Sequence, residues 1–183
     1  MCQSVHILGR VLEHRNHIET CVDTHIRLAE GQQLHETLAA LTKHLTQKYS
    51  EEGSTTTGCL LGAMSLCYSA RLVLYNVYVS SEYEKTERYQ SEESALFDLS
   101  LSGMEQMIRG IHELAHHVAS FKDGKFVSFG PLICHTLYQG ATVCARLGHE
   151  RKDQDKIESL ISMVDSLKVL GRRWKVVGKY IYH

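Results

Sequence analysis

Leucines recur at positions 34, 38, 41 and 45, so a helix over about Gln32 to Tyr49 carries one clean apolar stripe. The same period runs through most of the chain. Val5, Leu8, Val11 and Leu12 fall on one face of a segment from about Ser4 to Glu19. From about Thr57 to Val79 the pattern changes. Leu60, Leu61, Met64, Leu66, Leu72, Val73 and Leu74 mix with Gly62, Ala63, Ser65, Ser69 and Ala70 on every side, which predicts a helix surrounded by other helices. A long amphipathic helix follows over about Ser94 to Phe121, with Met104, Met107, Ile108, Ile111, Leu114, Ala115 and Val118 on its apolar face and Glu113 and His117 pointing outward. Pro131 suits a first helical position, where its missing N–H costs nothing, and the helix it opens runs to about Leu147 with Gly148 as the expected C′ residue. The last long helix starts at Asp153 or Asp155 and carries Ile157, Leu160, Ile161, Val164, Leu167 and Leu170 as its stripe; a short helix is expected over 172–177. Polar breaks at Glu51 to Thr57 and Ser80 to Ser94 read as a linker and a charged, solvated loop.

Strict apolar and polar alternation of strand type is nearly absent. The expected fold class is therefore all-α: an irregular multi-helix bundle around a central apolar helix, without significant β-sheet, forming one domain over 1–183. Composition agrees with a chain that builds a core, since 43% of its 183 residues are hydrophobic. Charge adds an exclusion. With 20 Lys plus Arg against 21 Asp plus Glu, the chain has no bulk attraction for a phosphate backbone, and direct contact with nucleic acid is not expected. The six cysteines are scattered without a C-x-x-C pair, which speaks against a structural zinc or a disulfide framework and for small core hydrophobes. No basic stretch followed by an apolar run opens the sequence, so an intracellular protein is expected. The apolar run from Cys59 to Val79 is interrupted by Arg71 and Asn76, so it is not expected to cross a membrane.

The hexapeptide His112-Glu113-Leu114-Ala115-His116-His117 contains His-Glu-x-x-His. In zinc hydrolases of that pattern, two imidazoles one helical turn apart hold the metal and the glutamate activates its water. That chemistry would use His112, Glu113 and His116, with Glu150 or Glu158 as a third ligand. The context favours a solvated helix face, with no metal and no cofactor. Ala119 and Lys122 stand where the extended variant of the motif has Gly and His, no edge strand offers a substrate cleft, and 12 histidines make the spacing cheap by chance.

A few other residues stand out. Arg71 lies within the apolar helix and suits a buried ion pair, a surface position or recognition of an anionic effector. Tyr75, Tyr78 and Tyr138, with Cys67 and Cys134, could line a cavity or simply pack in the core. Arg172, Arg173 and Trp174 have the composition of an interface anchor. Arg71, Tyr75, Tyr138, Arg172, Arg173 and Trp174 are thus the expected interface or effector contacts.

Several ordered segments carry a family resemblance. Ser128-Phe129-Gly130-Pro131 leads into Leu132-Ile133-Cys134-His135-Thr136-Leu137-Tyr138-Gln139-Gly140-Ala141, and Leu167-Lys168-Val169-Leu170-Gly171-Arg172-Arg173-Trp174 follows later. Earlier come Leu8-Gly9-Arg10-Val11-Leu12 and Cys67-Tyr68-Ser69-Ala70-Arg71-Leu72-Val73-Leu74-Tyr75. This order resembles the C-terminal part of the regulatory middle homology region of fungal zinc-cluster transcription factors, over nearly the whole chain and through loose, mostly structural motifs. The chain departs from that pattern in three ways. Leu74-Tyr75-Asn76-Val77 lacks the family's proline stop, the turn proline stands behind glycine, and the cluster of six close cysteines that reads DNA is absent. The resemblance implies a non-enzymatic regulatory domain in the nucleus, either part of a larger regulator or standing without its DNA-reading module. Its implied partners are a coregulator, the DNA-binding domain of the same or another chain, a second copy, or a small effector held between helices.

Overall fold

In the computed structural model, which describes residues 1–17, 23–51, 57–79, 91–120 and 130–171, the stripes fold into six helices with no strand among the described residues. They are α1 (Cys2–His17), α2 (Thr24–Glu51), α3 (Thr57–Val79), α4 (Ser91–Ser120), α5 (Pro131–Arg151) and α6 (Gln154–Gly171). The fold is the expected all-α bundle. The segment 172–177, most of the charged stretch from Ser80 and the residues Ser128 and Phe129 lie outside the described residues.

Apolar side chains around the whole circumference of α3 dictate its position. It packs against α1, α2, α4 and α5, while α6 pairs with α5 and closes on α4. One hydrophobic cluster draws on all six helices, from Ile7 and Val11 in α1 to Met163, Leu167 and Leu170 in α6. By length and composition Gly58–Val79 could cross a membrane, yet 78% of that window is buried in the bundle. This is the signature of a core helix.

The departures from the sequence expectations have local causes. Helix α2 begins at Thr24, about two turns before the expected start at Gln32, because the Asp23 carboxylate caps it by accepting from the backbone N–H of His25 at 2.9 Å and of Ile26 at 3.3 Å. Asp153 caps α6 in the same way, accepting from Asp155 and Lys156. Gly148 is not a C′ residue. Helix α5 runs on to Arg151, and Lys152 takes the left-handed turn at φ 53°. Gly148 lies beside the start of α6, where a Cβ would make ordinary contact with Ile157 and Lys156 at 3.5 Å.

Two helical faces are rotated from expectation. In α1 the buried stripe is Ser4, Ile7, Val11 and His14, and Val5 is 55% exposed. The rotation brings Ser4 beside Cys67 and His14 beneath Tyr78. In α6, Met163, Ser166, Leu167 and Leu170 are buried, whereas Ile157 and Ile161 are exposed. There the Ser166 hydroxyl donates to the Ala115 carbonyl at 2.9 Å and fixes the turn of the helix against α4.

Candidate functional site

An arginine in the middle of an apolar core helix needs a reason to be there, because taking a guanidinium out of water is costly unless its charge and its N–H groups are answered. Arg71 is 3% exposed. Its Nε donates to the Tyr75 hydroxyl at 2.9 Å, one turn along α3, and its Nη2 donates to Gln106 Oε1 of α4 at 3.0 Å. The Tyr75 hydroxyl lies 2.9 Å from His35 Nδ1 of α2, so it accepts from Arg71 and donates its O–H to the neutral imidazole. The guanidinium carbon also stands 5.5 Å from the Tyr75 ring centre. One side chain thereby ties three helices together.

The electrostatics fit this pattern of donors. Burial, then the Arg71 charge, holds His35 below its ordinary value, so the imidazole is neutral and free to accept at Nδ1. Burial pushes the Tyr75 phenol up against the opposing pull of Arg71, and Tyr75 remains a proton donor. Every hydrogen-bond partner of Arg71 among the described residues is neutral, and no carboxylate pairs with it there. Gly103 of α4 makes room for the Tyr75 ring: a Cβ at that position would sit 2.5 Å from Cζ and 2.8 Å from the hydroxyl.

Arg71 forms part of the wall of an open cleft of about 520 Å³ between α2, α3 and α4. Lys43, Thr46, Tyr68, Arg109 and Glu113 stand around it. Two other sequence expectations lie elsewhere. Tyr138 borders a separate groove of about 380 Å³ with Arg15, Val73, Gln139 and Arg146, so it does not join Arg71 and Tyr75 in one site. Arg172, Arg173 and Trp174 lie outside the described residues. Cys67 and Cys134 are buried in the core, where burial pushes Cys134 up to about 11 and keeps it a thiol.

The hexapeptide on α4 divides between faces. His112 and His116 bring their Nε2 atoms within 2.9 Å of each other, their rings edge to face. Burial and His116 hold His112 low, while Glu113 and Glu158 of α6 pull the other way. Glu113, the residue a hydrolase would aim at a metal-bound water, stands on the wall of the α2–α3–α4 cleft. Among the described residues no set of three metal-binding side chains forms, and the Glu150 side chain lies outside them. His117 is not the outward residue expected from the helical period. It is half-buried, with Nε2 2.6 Å from the Tyr49 hydroxyl and the two rings edge to face.

Sequence reasoning missed a buried imidazole. His14 of α1 is 3% exposed, with Nδ1 2.8 Å from Glu30 Oε2 of α2 and Nε2 2.6 Å from the Tyr78 hydroxyl of α3. The sequence signal for it is its spacing from Ile7 and Val11, masked by the competing apolar stripe through Val5. The chain matches no family model, no curated protein and no solved structure.

Proposed function

We propose that the chain is a non-enzymatic regulatory domain of the fungal zinc-cluster transcription-factor kind. In this reading the bundle acts in the nucleus through contacts with its own protein, a coregulator or a second copy, and answers a small effector held between its helices. The observation that carries the reading is the company kept by α3. Cys67 to Tyr75, the stretch that resembles the family's central helix, lies in the helix that touches α1, α2, α4 and α5. Regulation needs an element in contact with several surfaces, so that a change at one wall biases the others. Arg71 supplies such a link, since it reaches α4 through Gln106 and α2 through Tyr75 and His35. The hydrolase alternative draws support from the His112–His116 pair and from Glu158, whose charge acts on His112.

A reporter assay tests the proposal. The chain is fused to an unrelated DNA-binding module in yeast, with the module alone as reference. The expected outcome is reporter output changed several-fold by the fusion and altered again by Arg71→Gln at equal protein level. Output indistinguishable from the module alone, on both an activatable and a repressible promoter, would sink the regulatory reading.

A further inference from the structure

We propose that the cleft between α2, α3 and α4 binds a small organic anion, whose oxyanion group docks end-on against the free edge of the Arg71 guanidinium. The inference deepens the regulatory reading by naming the effector's chemistry, and it rests on that reading only for the purpose of binding.

The donor arrangement comes first. A guanidinium carries five N–H donors in a planar fork. Nε and Nη2 form its side-on edge, and that edge is occupied by the Tyr75 hydroxyl and Gln106 Oε1. Nη1 makes no hydrogen bond among the described residues and is not one of the sealed, unpartnered atoms. Among the described residues the edge formed by Nη1 and the second Nη2 hydrogen therefore remains for a planar, two-oxygen acceptor, which is the shape of a carboxylate or of one face of a phosphate. Tyr75 and Gln106 hold the fork still, so little ordering cost is left for the ligand to meet.

Charge and size point the same way. The cleft carries Lys43, Arg71 and Arg109 against a single carboxylate, Glu113. Lys43 and Arg109 form no ion pair among the described residues. A buried cation that the described residues answer only with neutral groups keeps a demand for negative charge, and a wall of low dielectric strengthens its pull on an incoming anion. At about 520 Å³ the cleft is of ligand size. The Thr42 and Thr46 hydroxyls already donate to the carbonyls of Leu38 and Thr42 and the Tyr68 phenol is hydrogen-bonded to Thr46, so the cations and the Gln106 amide N–H groups are left to meet a polar ligand.

Calorimetric titration of the full chain with inorganic phosphate and with succinate, at fixed ionic strength and with chloride as the control anion, tests the site. One-to-one saturable binding of phosphate or succinate, with none for chloride, is expected, and the better of the two identifies the oxyanion. Arg71→Gln should weaken that binding by roughly tenfold or more, since it removes a charge-assisted pair of hydrogen bonds. Because Arg71→Gln also removes the core hydrogen bonds to Tyr75 and Gln106, the rim pair Lys43→Gln with Arg109→Gln is measured too. It should weaken binding by roughly threefold to tenfold with unchanged circular dichroism. Absence of saturable binding by both anions, or full affinity in the rim variant, overturns the proposal. Binding that passes these tests without any reporter response keeps the site and removes its regulatory purpose.

Discussion

Replacing Gly103 with alanine should destabilise the bundle, although alanine is the better helix former. The added Cβ would lie 2.5 Å from Tyr75 Cζ and 2.6 Å from Cε2. Ordinary carbon contact needs about 3.5–4.0 Å, so the ring must retreat by about 1 Å. It has nowhere to go, because Tyr75 is 1% exposed and its hydroxyl is held by Arg71 and His35. Overpacking of this kind costs about 1–3 kcal/mol. Strain on the two hydrogen bonds adds up to about 1 kcal/mol each. Against that, removing a glycine from a helix interior returns about 1 kcal/mol. The net loss is about 2 kcal/mol, which lowers the thermal midpoint by about 4–8 °C in a chain of this size. Gly9 of α1 is the matched control, since a Cβ there meets nothing within 4 Å. Gly9→Ala should raise the midpoint by about 2–4 °C. Thermal unfolding followed by circular dichroism reads both. Combining Gly103→Ala with Tyr75→Leu, which empties the ring's space, should cost less than the sum of the single changes. A Gly103→Ala protein as stable as the parent, beside a Gly9→Ala protein that gains, would refute the steric account.

Three further outcomes are expected. His35, His112 and His117 are all held below the ordinary 6.5, chiefly by burial, so below that pH the unfolded chain binds more protons than the folded one. Stability is then fully present above about 6.5 and declines as pH falls toward the lowered folded values; a urea midpoint at pH ~5.5 equal to or above that at pH ~7.5 would contradict this. Arg71→Gln removes the cation that helps hold His35 low, so the His35 titration midpoint read by NMR should move upward, and an unmoved or falling midpoint would break the assigned link. Cys2 and Cys59 are exposed, while Cys67, Cys134 and Cys144 are buried and burial pushes Cys144 up to about 11. Alkylation read by peptide mass spectrometry should mark Cys2 and Cys59 in the native protein and the buried three only after unfolding, and rapid native labelling of Cys144 would count against the packing of α5.

What the sequence made legible follows from which forces are local. The bounds of α3 and the start of α5 could be read because Thr57–Val79 is apolar all round and Pro131 fixes its own dihedral. The sequence shows α2 short because its leucine stripe starts late, and its first turns are held by the Asp23 cap, buried Leu28, the Glu30 contact with His14 of α1 and the closeness of α3 to Gly31. The same limit applies to the site. Arg71 and Tyr75 were visible as a cation and a phenol one turn apart. Their partners His35 and Gln106 lie on other helices, at separations where no periodicity links them. Tyr138 shares only its chemistry with them, and the packing of α5 turns it toward a different groove.

Gly31 stands against the Tyr78 phenol, Gly103 against the Tyr75 ring, and Gly140 within 3.0 Å of Ile111 and Met163 were a methyl added. Each is a notch filled by a bulky tooth from a neighbouring helix. Gears meshed in this way cannot slip by one turn without lifting an aromatic or branched side chain clear of its notch. Longitudinal sliding is therefore closed to α2, α3 and α4, and any message leaving the Arg71 cleft has to travel as a tilt of whole helices or as the swing of a single ring.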